Sequence, residues 1–377
     1  MQVPLLDLKK QYQEIREEAL KITQEIFESQ YFILGPHVEN LEKRIAQYCS
    51  TTYALGVSSG TDALIISLMC GDIGQNDLVI TTPYTFFATS GSISRVGAIP
   101  VFADIDPDTY NISPIAVEKV IKSLTNDEKL RLRAIIPVHL YGQCAEMDPI
   151  LEIAKKHNLI VIEDAAQAIG SEYNKKRAGS MGDFGCFSFF PSKNLGAFGD
   201  GGIVTTNSEE NYKKLLKLRN HGSHPKYYHP MIGGNFRLDA LQAAIVSIKL
   251  KYLDSWTTGR QKNAEKYRSL FKTARLDDII LPLEKQNRHI YNQFVVQVPE
   301  KRDELRNFLT DKGIGNEVYY PLTLHLQECF SNLKYQKGDF PISENASDKT
   351  IALPIFSELT DDQLAYVVDV IKQFYKK

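Results

Sequence analysis

The chain has 377 residues, of which 43% are hydrophobic and 10% aromatic, a composition that supports a large buried core and excludes a disordered chain. Its 44 basic and 46 acidic residues leave a formal net charge of -2, which gives no positive excess for nucleic acid or an anionic membrane surface. Five widely spaced cysteines predict neither a zinc site nor a redox dithiol, so no metal is expected. Without a leader-like start or an apolar run of about 18 residues, we expect a soluble, cytoplasmic protein.

The first predicted element is an amphipathic stretch that ends near Glu28, and the sequence does not decide whether it packs on this chain or on a partner. From residue 53 onward, short runs rich in β-branched residues alternate with stretches of helical period. The predicted strands are YALGV, LVITT, IPVFAD, RAIIPV and LIVIEDAA, and DALIISLM and MDPILEIAKKHN are predicted helices. This order predicts an α/β fold with a mostly parallel central sheet flanked by helices.

The rhythm then changes, because DFGCFSFF and GGIVTTN read as two strands joined by a glycine-rich loop that is too short for a helical crossover. A long helix is predicted from about Leu238 to Trp256. After it, QFVVQVP, RDELRNFLTDKG and NEVYYPL indicate a smaller α+β unit that ends in the helix DDQLAYVVDVIKQFYKK. We therefore predict a large domain over residues 1–250 and a small C-terminal domain over residues 251–377.

Polar residues that follow predicted strands are the first candidates for a site, since ligands of open α/β sheets bind beyond the carboxyl ends of the strands. Residues 58–64 open a helix whose free N–H groups suit a phosphate, although an ordinary helix cap explains them equally simply. Asp164 ends a predicted buried strand and requires a cationic partner unless it is only a cap. Lys193, in the glycine-rich loop, becomes a nucleophile if it is desolvated.

Together these three features are a phosphate cradle, an acid to hold a pyridinium nitrogen and a lysine to form a Schiff base, which is what pyridoxal 5'-phosphate requires of a protein. The motifs SSGTDAL, EDAAQAIG, FSFFPSKNLGAFGDGG and GGNFRLDALQAA follow in this order. With them, the chain resembles the DegT/DnrJ/EryC1/StrS family of pyridoxal phosphate-dependent nucleotide-sugar aminotransferases. The resemblance implies the type I fold of aspartate aminotransferase.

The resemblance assigns roles to residues on three of these segments. Lys193 is implied to bind the cofactor covalently and then to move the proton between the substrate and the cofactor. Asp164 is implied to keep the pyridine nitrogen protonated, and Gln167 to bond the phenolic oxygen. The family's sugar dehydratases carry histidine in place of this lysine, so dehydration is disfavoured.

Further cofactor contacts are implied at the helix start and on an aromatic segment. Gly60, Thr61 and the Ser188 hydroxyl are implied to hold the phosphate. Phe86 matches the aromatic residue that stacks on the cofactor ring, with a core phenylalanine as the alternative. Asn235 matches a residue that reaches the phosphate of the neighbouring subunit, which implies a homodimer with shared active sites.

The remaining implied contacts concern the substrates. Arg237 either contacts the nucleotide sugar or forms an interface ion pair. Residues 317–327 look like the version found in enzymes that aminate carbon 3 of a UDP- or dTDP-linked keto sugar, and Tyr319, Tyr320 and His325 are candidates for the sugar pocket. A local hydrogen bond is the alternative for His325. L-glutamate is the implied amino donor.

Two other classes of function are weighed against this reading. A nicotinamide oxidoreductase is disfavoured because no GxGxxG follows a predicted strand. A non-catalytic regulator that binds the same cofactor is harder to exclude, since binding residues alone do not prove turnover. Such a regulator would be expected to carry a fused DNA-binding module, and no segment of this near-neutral chain resembles one.

Overall fold

The computed structural model describes residues 1–375. In chain order the strands are β1 (Tyr53–Val57), β2 (Leu78–Thr81), β3 (Ile99–Phe102), β4 (Leu132–Ile135), β5 (Ile160–Asp164), β6 (Glu172–Tyr173), β7 (Lys176–Arg177), β8 (Phe184–Ser188), β9 (Gly202–Thr206), β10 (Phe294–Gln297) and β11 (Thr350–Leu353). The α-helices are α1 (Leu8–Ser29), α2 (Pro36–Cys49), α3 (Gly60–Cys70), α4 (Ala88–Arg95), α5 (Pro114–Ser123), α6 (Asn126–Arg131), α7 (Met147–His157), α8 (Glu209–Arg219), α9 (Ala240–Lys249), α10 (Leu253–Ala274), α11 (Arg302–Asp311), α12 (Pro341–Lys349) and α13 (Asp361–Tyr375).

Seven strands form the central sheet in the order β1-β9-β8-β5-β4-β2-β3. Only β9 runs against its neighbours, and all the other adjacent pairs in this sheet are parallel. The strands are apolar along most of their length because helices cover both faces of the sheet. The predicted α/β class with a mostly parallel sheet is confirmed.

The predicted pair of strands around the glycine-rich loop is β8 and β9, which are antiparallel neighbours. The connection between them, residues 189–201, folds back on itself so closely that a Cβ on Gly196 would lie 2.3 Å from the Pro191 carbonyl oxygen. Glycine is therefore required there by close packing of the backbone. The loop lies at the carboxyl end of β8, where α/β sheets bind ligands.

The single helix predicted from Leu238 to Trp256 is wrong, since the structure has α9 and α10 with a break at residues 250–252. At the break the N–H of Tyr252 bonds the carbonyl of Lys249, a tightened turn, before the chain restarts as α10. Leu253 packs in the core of the sheet, whereas later residues of α10 pack in a separate core. One straight helix cannot reach both cores, and no glycine or proline marks the break.

The second core lies between α10, α11, α13 and the two-stranded sheet β10–β11. Val3 belongs to it, and its N–H donates to the Gly313 carbonyl at 2.9 Å. The helix α1 packs against α9 and accepts the Trp256 indole N–H on Glu14 at 3.1 Å. The amphipathic N-terminus thus packs on this chain, while the domain boundary near residue 250 stays a prediction.

The last predicted helix is α13, and Lys376 and Lys377 of its predicted span lie outside the described residues. Within residues 1–375, no helix is both long and apolar enough to cross a membrane. The same residues contain no group of three or more histidines, cysteines or acids placed to hold a metal ion.

Candidate active site

A cavity of about 410 Å³ lies at the carboxyl ends of β5 and β8, beside the first turn of α3. It is bounded by the β8–β9 loop and by the segment that follows α11. Nine of the residues predicted for the site line it: Gly60, Thr61, Phe86, Asp164, Gln167, Ser188, Lys193, Tyr319 and Tyr320. Strand ends from one edge of the sheet therefore converge with the segment that follows α11.

Lys193 projects from the β8–β9 loop, where its backbone N–H bonds the Phe190 carbonyl at 2.9 Å. The next residue anchors the loop, because Asn194 donates to the Ile290 carbonyl at 3.2 Å. Burial lowers the pKa of Lys193 to about 8, and the charge of Asp164 opposes that shift. The unprotonated, nucleophilic form of the amine is therefore far more populated near neutral pH than in an ordinary lysine.

Asp164 is the last residue of β5 and is 6% exposed. Its Oδ2 accepts the Thr89 hydroxyl at 2.7 Å, and its Oδ1 accepts the Ala166 N–H at 3.3 Å. Burial raises the pKa of the carboxyl, and the two hydrogen bonds and the charge of Lys193 only oppose that shift. No cation within residues 1–375 lies at ion-pair distance from the carboxyl. A positively charged ring nitrogen would supply the missing counter-charge.

Gln167 is held in one orientation by the chain around it. Its Oε1 accepts the Tyr141 N–H at 2.8 Å, and its Nε2 donates to the Tyr320 hydroxyl at 3.2 Å. Tyr320 is itself anchored, since its carbonyl accepts the Ser347 hydroxyl at 2.8 Å. The amide is thereby a fixed polar group in the cavity wall.

The start of α3 forms the opposite wall of the cavity. Ser59 caps the helix, and its hydroxyl accepts the Asp62 N–H at 3.0 Å. A Cβ on Gly60 would lie 2.6 Å from the Cβ of Ser188, so only glycine allows β8 and this helix to approach so closely. The N–H groups of the first turn and the Ser188 hydroxyl thus face the same space, a cradle suited to a phosphate.

Phe86 is 57% exposed although it lines the cavity. Its ring lies 6.1 Å from the ring of Tyr320 at an angle of 42°, which is not a stacked pair. An exposed aromatic face inside a cavity suits a planar ligand. A core phenylalanine, the alternative role, would be buried, so this exposure disfavours that role.

Asn235 and Arg237 do not line the cavity of their own chain. Asn235 is exposed and pairs through its backbone with Asn220, and Arg237 pairs in the same way with Val57. The Nε of Arg237 is buried and has no hydrogen-bond partner within residues 1–375. Their predicted roles across a dimer interface stay predictions.

His325 also lies outside the cavity wall. It is buried beside Phe340, with ring centroids 4.7 Å apart, and its Nε2 hydrogen-bonds the Glu344 carboxylate at 3.2 Å. This is the local hydrogen bond that the sequence left as the alternative. The structure therefore gives no support to a place for His325 in the sugar pocket, unlike Tyr319 and Tyr320.

Comparison with known proteins identifies the fold and the family. The profile of the DegT/DnrJ/EryC1/StrS aminotransferase family matches residues 13–372. The chain belongs to this family. Aminotransferases of the DegT/DnrJ/EryC1/StrS family depend on pyridoxal 5'-phosphate, and the chain is one of these transaminases.

Among individual relatives, the "Pleiotropic regulatory protein" of Geobacillus stearothermophilus is 48% identical, over 100% of this chain and 99% of that protein. The UDP-N-acetyl-3-dehydro-alpha-D-glucosamine 3-aminotransferase of Acidithiobacillus ferrooxidans is 39% identical, over 98% and 97%. The dTDP-3-amino-3,4,6-trideoxy-alpha-D-glucose transaminase of Streptomyces venezuelae is 39% identical, over 100% and 97%. The crystal structure of S. venezuelae DesV superposes with a TM-score of 0.94 at 39% identity, covering 100% of this chain and 99% of that one.

The residues of the cavity fit the cofactor of the family. Asp164 is a buried carboxylate in need of a cation, Lys193 has an amine of lowered pKa, and Phe86 presents an exposed aromatic face. The cradle between Gly60 and Ser188 would be filled by a Cβ. A phosphate, a pyridine ring and an aldehyde therefore each have a suitable group in the same cavity.

Two residues that contact the predicted set were missed from the sequence. Thr89 donates to Asp164, and the Tyr141 backbone holds Gln167. Thr89 lies at the start of α4, shortly after strand β2, so a search of every strand end would have included it. No local pattern marks Tyr141, whose contribution is a backbone N–H.

Proposed function

We propose that the chain transfers the amino group of L-glutamate to carbon 3 of a nucleotide-linked keto sugar in the cytoplasm. The sugar that we favour is of the UDP-2-acetamido-2-deoxy-3-oxo-glucose type, and the product would be a 3-amino sugar for lipid A, O-antigen or another surface polysaccharide. The names of two curated relatives, one UDP-linked and one dTDP-linked, both specify a 3-amino sugar and support this position. A dTDP-3-oxo-6-deoxyhexose or a 4-keto sugar is the alternative substrate.

The observation that carries the proposal is the pairing of a free, buried amine with a buried carboxylate in one cavity. Bound there, pyridoxal phosphate supplies an electron sink for the substrate carbanion. Lys193 would hold the cofactor, and once released its amine would move the proton between the donor α-carbon and C4'. In the second half-reaction the same amine would move the proton in the opposite direction.

The other residues of the cavity would hold the cofactor and the sugar in place and polarise the cofactor. Asp164 would keep the ring nitrogen protonated, and Gln167 would bond the phenolic oxygen. The N–H groups of Gly60 and Thr61, with the Ser188 hydroxyl, would bind the phosphate. Tyr319 and Tyr320 line the cavity from the segment that follows α11, and they are our candidates for contacts with the sugar.

A homodimer with shared active sites belongs to the proposal. Asn235 and Arg237 lie outside the cavity of their own chain, which is the arrangement expected if they complete the site of a partner. Asn235 would reach the phosphate and Arg237 the nucleotide sugar. Sedimentation tests this directly, because a fully active monomer would contradict it.

Absorbance of the cofactor-loaded protein tests the reaction. L-glutamate should bleach the absorption band of the lysine-bound cofactor, and keto sugars are then added one at a time. We expect UDP-linked 3-keto sugar to restore the band, with dTDP-linked and 4-keto sugars as comparisons. Restoration by a 4-keto sugar alone would overturn the position, and restoration by a dTDP sugar alone would overturn the nucleotide.

A regulatory role is the second candidate, favoured by the name of the 48% identical relative. A regulator of this kind would bind the cofactor without needing turnover. Cells that carry Lys193→Ala in place of the wild-type chain separate the two roles. Loss of the amino sugar, with transcripts unchanged both in these cells and in cells that lack the chain, supports the enzyme. Transcripts that change when the chain is absent but not when it carries Lys193→Ala support the regulator.

A further inference from the structure

A second cavity, of about 110 Å³, adjoins the candidate active site. We call it the side cavity. Ser192, Gln293 and Tyr319 line both cavities, and Ser192 is the residue before Lys193. The N-terminal segment and β11 supply apolar walls, and Arg260 of α10 supplies a charge. The shared residues therefore place the side cavity beside Lys193.

Arg260 is only partly used by the fold. It is 3% exposed, and its Nη1 donates to the carbonyls of Ile355 at 2.8 Å, Tyr291 at 3.0 Å and Asn292 at 3.4 Å. Its Nε and Nη2 donate no hydrogen bond to any residue of the range 1–375. A guanidinium has donors on all three nitrogens, so two of them remain for a ligand.

The charge of Arg260 is also not neutralised. Within the described chain no carboxylate lies at ion-pair distance from it, although the more distant Glu358 favours its charged form. Burial lowers the pKa of Arg260 to about 10, so the group is still a cation at neutral pH. A buried cation without a partner is unfavourable, and an anion in the side cavity would relieve that cost.

Two amide side chains at the same place also lack partners. The Oδ1 of Asn292 and the Oε1 of Gln293 are buried and accept no hydrogen bond within residues 1–375. Asn292 is 9% exposed, and both residues line the side cavity. Each amide has a donor and an acceptor end, so the pair can bond a polar ligand next to the guanidinium.

Among the residues that line the two cavities, the cations are Lys193 and Arg260. Lys193 must remain free to move a proton, so it cannot serve as the fixed counter-charge of a substrate. An α-amino acid donor brings carboxylates into the site, and a buried carboxylate needs such a charge. We propose that the side cavity binds a carboxylate of the amino donor, with Arg260 as its counter-charge.

This inference rests on the proposed function and specifies the donor as an amino acid. Its test uses the cofactor-loaded full chain and measures the two half-reactions separately. Arg260→Gln should raise the dissociation constant for L-glutamate on the order of 100-fold, the usual scale for one charge-assisted contact. The rate of the second half-reaction, in which the enzyme passes the amino group from its cofactor to the keto sugar, should stay within about threefold of wild type.

Binding of glutarate gives a readout without turnover, because this dicarboxylate has no amino group to react. Calorimetry should detect glutarate on the wild-type protein and at least tenfold weaker binding on Arg260→Gln. Arg302→Gln is the matched control: Arg302 also holds two backbone carbonyls, those of Ser347 and Thr350, and it lines neither cavity. It should leave glutarate binding unchanged.

Ala352→Leu fills the side cavity without altering Arg260, and it should weaken both ligands even if Arg260→Gln does not fold. Unchanged glutarate binding in Ala352→Leu, or equal loss of both half-reactions in Arg260→Gln, would overturn the proposal. If L-glutamate does not convert the wild-type enzyme, the donor of the proposed function is wrong. Glutarate would still report on the side cavity in that case.

Discussion

The two carboxylates at the end of β5 face opposite sides of the sheet and have opposite surroundings. Glu163 accepts three backbone N–H groups of residues 179–182 at 2.7 Å each and pairs with His139 at 2.9 Å. Asp164, the next residue, accepts the Thr89 hydroxyl and one backbone N–H, and no cation of the described chain pairs with it. A buried carboxylate whose partners all come from the chain stabilises the fold. A buried carboxylate without a cationic partner is available to bind a ligand.

Two buried lysines show the same contrast. Burial lowers the pKa of both Lys193 and Lys249 to about 8. The Nζ of Lys249 donates to the Gly196 carbonyl at 2.6 Å and lies 4.6 Å from the centre of the Phe198 ring, whereas Lys193 faces the cavity and has no such partner within residues 1–375. A lowered pKa by itself therefore does not mark a reactive lysine, because the lysine must also have access to a cavity.

Replacing the two lysines in turn gives the largest expected difference. Lys193→Ala should reduce transamination by about 10⁴-fold, since both half-reactions lose their acid–base group. Lys249→Met should keep activity within about tenfold, because methionine fills a similar buried volume. Borohydride reduction of the loaded proteins followed by mass spectrometry checks the assignment. A reduced cofactor adduct on Lys193→Ala would refute it.

Asp164→Asn should reduce transamination by about 10² to 10³-fold, because an amide cannot stabilise the protonated ring nitrogen. The cofactor-free protein should lose no stability. Burial raises the pKa of Asp164, so its charged form is unfavourable in the folded chain at neutral pH and the neutral amide is tolerated. Steady-state kinetics and urea unfolding measure the two effects, and a large loss of stability would contradict the contrast with Glu163.

Glu163→Gln should show the opposite behaviour, with a loss of about 3 kcal/mol in the free energy of unfolding. The amide replaces an oxygen that now accepts both a backbone N–H and the His139 ring, and that N–H is then left buried without a partner. Urea unfolding of the cofactor-free protein measures the change, with Asp164→Asn as the matched control. Equal stability of the two variants would show that the two carboxylates do not differ as described.

The smallest effect concerns pH. Below its pKa of about 8, Lys193 is protonated and cannot attack, so the rate of cofactor uptake by the cofactor-free protein should fall about tenfold per pH unit and level off above it. Asp164→Asn should move the midpoint to lower pH, because the charge of Asp164 raises the pKa of Lys193. Stopped-flow absorbance between pH 6 and pH 10 measures both. A midpoint near the pKa of an ordinary lysine, roughly 10.4, would count against a buried amine.

The predictable part of the site came from strand ends. Asp164, Ser188 and Gly60 follow or end strands of one sheet, and parallel strands bring their carboxyl ends to one edge. His325 lies in a segment without regular strands, and its position depends on a pairing with Glu344 that no local pattern predicts. The break between α9 and α10 was missed for the same reason, since it depends on two separate cores.

The sequence by itself determined the α/β class, the family and the residues suited to the cofactor, because these follow from local periodicity and from short motifs. Only the tertiary structure decided which polar groups are satisfied by the fold. Thr89 reaches Asp164, and Arg260 lines the same cavity as Ser192 and Asn292, through packing between segments far apart in the chain. Such contacts depend on how whole elements pack together, and so the side cavity has no signature in any single stretch of residues.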